Sequence, residues 1–311
     1  MATVAPDTVL VDLREAGAPE RTSGYLIRAP RVALIETGGR FGVEAWLEAL
    51  DRLGIPRDEV AYIIVTHVHL DHAAGAGTLA RQLPSARVVV HPRGARHLED
   101  PTRLVQGARM VFGDRLEELF GIPEPVPAER LLSPGDGEYL DLGGGHRLRI
   151  IDAPGHARHH FMLLDEGTGA LFSGDELGVR YPSLSRRLGR DYVLPSTAPN
   201  QFDPEAMIRS ARSLTELRPQ VVLFSHFAAG GLEPGELAER LAEQVPQFVA
   251  CGVVDGEPAP QPVVRQRLAD HIRRDAGAHG LSWDEVEPAV AIDLEICSHG
   301  IAYYHQQRVR R

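Results

Sequence analysis

The stretch Ile63–Gly75, "IIVTHVHLDHAAG", decides how this chain is read. Three histidines and an aspartate fall within the six residues His67–His72, directly behind a run of aliphatics. Core packing has no use for such a cluster, because every buried polar group needs a partner. His67 and His69 stand two residues apart and share one face of an extended segment, where they can hold the same metal ion. Asp71 and His72 come as the chain turns into the helical pattern "HAAGAGTLARQL", which redirects them toward a second position. The small residues Ala73, Ala74, Gly75 and Gly77 let the backbone bend close beside the metals.

Four apolar runs end in a residue of this kind: "YIIVTH" at His67, "LRIIDAPGH" at His156, "GALFSGD" at Asp175 and "VVLFSH" at His226. Groups at the carboxyl ends of neighbouring strands converge on one sheet edge, where open α/β layers place their sites. The P-G-H turn favours His156 as a ligand. His159 and His160 lie close by, and His160 reads as a donor that orients a ligand. Imidazole with carboxylate suits Zn(II), with Fe or Mn as alternatives. Two such divalent metal ions about 3.5–4 Å apart would hold a hydroxide able to attack a carbonyl or phosphoryl centre.

With 43% apolar and 24% charged residues among 311, the chain has the composition of a globular protein. A net charge of -10 opposes a duplex nucleic-acid partner, whose binding draws on cations set against phosphates. All 33 basic residues are arginines, which removes Schiff-base catalysis, a lysine base and a P-loop lysine. The opening "MATVAPDTVLVDLREAGAPE" has no basic segment followed by an apolar core, and no apolar run approaches the roughly 20 residues of a membrane span. A cytoplasmic protein with no membrane partner is expected. Cys251 and Cys297 read as inert, buried thiols in a reducing compartment.

Strands are expected near 8–13, 23–28, 32–36, 61–66, 87–91, 138–142, 147–152, 160–165, 169–173 and 220–224. Helical patterns lie near 43–53, 72–83, 93–119 with a break, 203–216 and 235–247. This is an α/β alternation forming a main domain over 1–254, with inserts at 101–137 and 176–202. The second insert reads as a lid or binding loop. After the Pro-rich "DGEPAPQP", residues 255–311 form a linker and a helical extension suited to capping the domain or pairing two subunits as a homodimer. In the extension, "SWDE" (Ser282–Glu285) has capping-box spacing and Pro288 predicts a kink or restart.

The set "THVHLDH", "APGH", "FSGD" and "FSH", with the earlier "GYLI…ALIETG", resembles the metallo-β-lactamase superfamily over about residues 20–230. The resemblance implies an αβ/βα four-layer sandwich with a dinuclear metal centre at one edge. It implies that His67, His69 and His156 bind the first metal, Asp71, His72 and His226 the second, and that Asp175 bridges them. Asp175 sets the chain apart from true β-lactamases of this fold. His69 sets it apart from flavodiiron proteins, which carry Glu there. Lactonases of the family place a Tyr three residues after the bridging Asp, where this chain has Gly178, and Glu36 stands where many relatives have Asp.

The implied activity is hydrolysis of an ester, thioester or lactone in a small-molecule substrate, with Asp71 orienting the hydroxide. The alternatives are a phosphodiesterase on the same site, a mononuclear iron persulfide dioxygenase and a non-catalytic, metal-stabilised binding protein. Tyr181 is a candidate donor to the substrate. Arg180, Arg186, Arg187 and Arg190 read first as solvated surface charge and second as an anion clamp. Phe112 and Phe120 read as packing of the insert helix or as the lining of an apolar pocket. His299 reads as lying away from substrate.

Overall fold

The computed structural model describes residues 1–197 and 199–309, without the side chains of Val111 and Phe112. Contacts divide the chain into two compact units. Unit one comprises Met1–Asp152, His159–Gly174 and Gln220–Ala229; unit two comprises Ala153–Arg158, Asp175–Pro219 and the chain from Gly230 onward.

Unit one holds two sheets. The first runs in chain order through β1 (Ala2–Ala5), β2 (Thr8–Asp12), β3 (Ser23–Ile27), β4 (Val32–Ile35), β5 (Val60–Ile64), β6 (Arg87–Val89) and β7 (Leu131–Leu132). Pairing is antiparallel from β1 to β4 and parallel from β4 to β7. Parallel neighbours require crossovers. These are α1 (Arg40–Leu53) before β5, α2 (Leu70–Ala73) and α3 (Ala76–Gln82) before β6, and α4 (Ala95–Glu99), α5 (Thr102–Phe112) and α6 (Leu116–Phe120) before β7.

The second sheet takes β8 (Tyr139–Gly143), β9 (His146–Asp152), β10 (Phe161–Asp165) and β11 (Ala170–Gly174). Beyond two short strands of unit two, β12 (Val179–Arg180) and β13 (Val193–Leu194), it adds β14 (Val221–Phe224) and β15 (Ala228–Ala229). Its order is β15-β14-β11-β10-β9-β8, with β11 and β14 parallel.

The period of two along each strand sorts its side chains between two cores. Tyr25, Ile27, Ile35, Ile64 and Val89 meet Leu142, Ile150, Phe161, Leu163, Phe172 and Leu223 between the sheets. Their sequence neighbours Leu26, Leu34, Ile63, Val65 and Val88 face the other way, beneath Trp46, Ala49 and Leu50 of α1 and Leu79 of α3. Strands covered on both faces read as unbroken apolar runs, as "YIIV" does. Gly24 is required by this packing, since a Cβ there would stand 2.4 Å from Trp46 and 2.9 Å from Leu13.

All ten expected strands are present to within about two residues. The helical pattern at 72–83 divides at Gly75, the residue that caps the start of α3, where a Cβ would stand 2.8 Å from Val43. The pattern at 93–119 divides into three pieces, at Asp100–Pro101 and at Gly113. Asp100 is extended, as a residue before proline tends to be.

In unit two, α8 (Pro204–Leu217) starts as its sequence dictates, with the Asp203 carboxylate accepting the Ala206 N–H at 2.9 Å and proline at the first position. It packs with α9 (Pro234–Ala250). A short hairpin, β16 (Val253–Val254) and β17 (Glu257–Pro258), leads to α10 (Gln261–Ala278) and α11 (Trp283–Val309). The restart expected at Pro288 does not occur, because α11 continues through it. Pro288 is the sixth residue of α11, so its missing N–H leaves one early carbonyl unbonded and the following turns intact. Half of the expected capping box forms, with the Glu285 carboxylate accepting the Ser282 N–H at 2.9 Å and its hydroxyl at 2.8 Å.

The stretch 176–202 is built into a core. Tyr181, Leu184, Tyr192 and Leu194 join Val264, Leu268, Ile272, Val286, Val290, Leu294 and Ile301 of α10 and α11 in one cluster, with α7 (Pro182–Leu188) between β12 and β13. It is a structural part of unit two and not a free connection. Both cysteines are free and buried. Burial pushes the Cys297 thiol up to about 12 and raises that of Cys251. Among the described residues no helix is long and apolar enough to cross a membrane.

Two outcomes follow from this packing. Phe172→Ala, which empties the space between the sheets, should cost about 3–5 kcal/mol in a denaturant titration. Neither cysteine should react with a disulfide-exchange reagent at pH 8 in the native protein, and both should react once urea unfolds it.

Candidate metal centre

β5 ends at Ile64, and the Val65 N–H still bonds the Val89 carbonyl at 3.0 Å. The chain is extended at His69 (φ -67°, ψ 155°), and α2 begins at the next residue. The N–H groups of His72 and Ala73 turn back to the His69 carbonyl at 3.1 and 2.9 Å. His67 and His69 thus lie on the extended part, with Nε2 of His67 2.9 Å from Nδ1 of His69. Asp71 and His72 lie in the first turn of the helix.

β14 brings in His226 from the second sheet. Its Nδ1 meets the Arg21 carbonyl at 2.7 Å, a contact that a protonated Nδ1 donates. That Nε2 lies 3.2 Å from Asp71 Oδ2, and Nε2 of His72 lies 3.3 Å from the same oxygen. The three residues form a group whose ligand atoms could hold one ion. Four bonds of about 2.0–2.1 Å in a tetrahedron set ligand atoms ~3.3–3.4 Å apart. The observed separations match that edge, so the donors fit a metal in chemistry and in spacing.

Unit two carries His156 and Asp175. Asp175 directly follows Gly174, the last residue of β11, and His156 sits in the loop between the paired ends of β9 and β10. Glu176 fixes that loop, its two oxygens accepting the N–H groups of Gly155 at 3.0 Å and His156 at 2.8 Å. Gly155 is obligatory, as a Cβ would stand 2.4 Å from the Met207 backbone. Nδ1 of His156 meets the Ser196 carbonyl at 3.0 Å, which turns its Nε2 to Asp175 Oδ2 at 3.5 Å. Gly174 (φ +53°) leaves room for His160, whose Nε2 would lie 2.2 Å from a Cβ there.

Burial alone would raise the Asp71 carboxyl. The His72 charge, with hydrogen bonds from His226 and His72, outweighs it and holds the group well below the usual carboxylate range. Glu15 behaves oppositely. Burial first and then the Asp71 charge raise it, although Arg21 and His226 pull the other way. Its Oε2 accepts the Thr22 hydroxyl at 2.8 Å and lies 4.0 Å from Nδ1 of His226. Glu15 carries no motif and was not expected here. It starts a three-residue 3₁₀ turn, Glu15–Gly17, between residues of positive φ, Arg14 and Ala16, where local pattern gives no signal.

Other expected residues have other partners. The Tyr181 hydroxyl donates to Asp293 Oδ2 at 3.0 Å. Arg180 pairs with Asp191 at 2.7 Å, Arg187 with Glu285 at 3.3 Å, and Arg190 meets Nδ1 of His279 at 2.7 Å. His299 is exposed and faces Glu295 at 3.2 Å on its own helix. Phe120 packs with Leu116 against Leu70 and Ala74 beside the ligand turn. The Phe112 side chain lies outside the described residues. Nε2 of His91 is 2.9 Å from Asp152, and its Nδ1 accepts the Arg93 N–H at 3.0 Å, a structural pairing at the end of β9.

The family model of the metallo-beta-lactamase superfamily matches residues 18–226, and the chain belongs to that superfamily. The metallo-beta-lactamase fold-containing protein ST1585 of Sulfurisphaera tokodaii is 32% identical over 225 residues, 70% of this chain and 78% of that protein. The crystal structure of ST1585 from Sulfolobus tokodaii, an archaeal member of the superfamily, matches with a TM-score of 0.63 and 25% identity over 85% of this chain and 94% of that one. The metallo-beta-lactamase family protein TTHA1429 from Thermus thermophilus matches with a TM-score of 0.68 and 22% identity over 98% and 94% of the two chains. The fold is that of the superfamily, mixed sheets flanked by helices with a C-terminal helical extension in α10 and α11.

If Asp71, His72 and His226 hold one ion, Asp71→Asn and His226→Ala should each weaken one zinc equivalent by more than about 100-fold, beyond the loss expected of an orienting contact. Competition against a chromophoric chelator reads this, with far-UV circular dichroism as the check on folding.

Proposed function

We propose that the protein is a dinuclear metal-dependent hydrolase cleaving an ester, thioester or lactone in a small-molecule substrate. In this reading His67, His69 and His156 hold the first ion, Asp71, His72 and His226 the second, and Asp175 bridges them. Zn(II) is the preferred metal for this mix of imidazole and carboxylate. The observation that carries the reading is the convergence of His72 Nε2 and His226 Nε2 on one Asp71 oxygen at tetrahedral spacing, with Nδ1 of His226 committed to a carbonyl. Chain continuity supports the place given to Asp175. Gly174 pairs in register with Phe224, two residues before His226, and Asp175 is the next residue in the chain.

When bound, the ions supply a Lewis acid for the scissile carbonyl and an activated water. The chain's own groups then have distinct tasks. Asp71, held ionised by its histidine neighbours, accepts a hydrogen bond from the attacking water and orients it. Glu176 and the Ser196 carbonyl fix the His156 imidazole, so that this ligand needs no reorganisation. Leu70, Ala74, Leu116 and Phe120 give the ligand turn an apolar flank that limits water there. Tyr181 is left out, because its hydroxyl is committed to Asp293. A cytoplasmic location belongs to the proposal, supported by two free, buried cysteines.

The test is metal analysis of protein purified without added metal, followed by a screen of reconstituted protein. Substrates are thioesters, lactones, aryl esters and a bis-aryl phosphate. Two zinc equivalents per chain and turnover of a carbonyl substrate are expected, with Asp175→Ala and His72→Ala folded and at least ~100-fold slower. Turnover of the phosphate alone makes the protein a phosphodiesterase. One iron per chain with oxygen consumption overturns the hydrolase reading in favour of a dioxygenase. Variants that unfold, from a wild type that turns nothing over, give the metals a structural role only.

A further inference from the structure

α5 carries an apolar stripe that the fold leaves half covered. Leu104, Val105 and Ala108 fall within one helical face, while Arg103, Gln106 and Arg109 stand exposed on the other. None of the residues Thr102–Met110 is buried. α5 packs with its chain neighbours α4 and α6, and its apolar side meets the cluster of Leu70, Leu116 and Phe120. A helix of eleven residues is marginal in water by itself and draws its stability from burying such a stripe. The chain alone leaves part of that gain unused.

The position and size of the stripe point to its occupant. Leu70, against which it packs, stands in the chain between His69 and Asp71 and is 5% exposed. The half-covered surface therefore begins at the turn that carries the proposed ligands. It consists of four side chains, Leu104, Val105, Ala108 and Leu119, far short of the roughly 20–30 residues a side of a stable protein interface. A hydrocarbon chain suits it, because each CH2 gains by leaving water and no polar atom is left unpaired. Gly107 agrees with this. It sits in mid-helix, where glycine is destabilising relative to alanine, and among the described residues a Cβ there would meet nothing within 4 Å. Packing of the described residues does not require glycine at 107. One turn beyond Leu104, Gly107 and Ala108 keep the strip low, so that a chain can lie along it.

We infer that the substrate is an ester or thioester of a straight-chain fatty acid, its alkyl chain laid along the Leu104–Ala108 face of α5 and its carbonyl at the ligand turn. The inference rests on the hydrolase reading and narrows its substrate class. Hydrolysis breaks the acyl C–O or C–S bond and forms a C–O bond to the oxygen of water, releasing an alkanoate, a proton and the alcohol or thiol. Leu104 and Val105 act on specificity, through the length of chain they cover. Gly107 sets the room above them.

The experiment is a chain-length series, acetyl to decanoyl, of p-nitrophenyl esters and thioesters held below their micelle concentrations, with zinc-reconstituted protein. In the wild type kcat/KM should rise about fourfold per added CH2, the factor that burying a methylene gives, until the chain outruns the strip. Leu104→Gln, which keeps a good helix former in place, should flatten that rise, and Gln106→Ala on the exposed face should keep it. Gly107→Leu should raise the melting temperature, since leucine is the better helix former. It should also lower the decanoyl rate relative to the acetyl rate by about 10-fold, close to the worth of two methylenes. Flattening in either of these two variants, with Gln106→Ala unchanged, supports the inference. A wild-type rate that does not rise with chain length, a rise that survives in both variants, or equal flattening in Gln106→Ala overturns it while the hydrolase reading stands. A wild type that turns over no carbonyl substrate at all overturns that reading and the inference with it.

Discussion

A single buried carboxylate, with its hydroxyl donors, is the constraint on which the ligand edge of unit one depends. Glu36 cannot be hydrated where it lies, so the fold must provide its partners: the Thr66 and Ser225 hydroxyls donate to it, and the His72 ring lies 3.2 Å away. Thr66 follows β5 of the first sheet and Ser225 follows β14 of the second. Burying one carboxyl group therefore aligns two layers at one end, and the penalty for misalignment is an unsatisfied polar group in the protein interior. Apolar packing between the sheets provides cohesion without direction. The polar cluster at their edge provides the register.

The same logic recurs in unit two on a smaller scale. Glu176 accepts two successive backbone N–H groups from the turn that carries His156, and Gly155 lets the turn approach closely enough for this. In both units a glutamate next to a ligand-bearing segment holds the backbone or ring that presents the ligand. Under the proposed function, the side chains that would hold the ions are thus positioned beforehand, which spares metal binding the entropy of ordering them.

Much of this was legible in the sequence, for a physical reason. A strand covered on both faces must be a short apolar run, and a histidine or aspartate stands out at the end of such a run, as His67, His226 and Asp175 do. The expected strands lie where that pattern put them. The roles of Glu15, Thr66 and Ser225 were not legible, since each depends on a partner distant in the chain, as Ser225 on Glu36 does across 189 positions. No local period records such a pairing. The stretch 176–202 misleads for a related reason. Its Tyr and Leu residues belong to a core completed only by α10 and α11, near the other end of the chain, so in isolation it resembles a loop.

His226 bonds the carbonyl of Arg21 across 205 positions, and that separation bears on how the protein is made. A chain emerging from the ribosome in order presents "THVHLDH" long before β14 exists. Throughout that interval the three histidines and the aspartate are ligand atoms without their fourth wall. Only when β14 docks does the cluster of Asp71, His72 and His226 come into being. The long loop closure that this requires is entropically slow, so a metal held at tetrahedral spacing by those three residues would report a finished unit one, and not a partly made one.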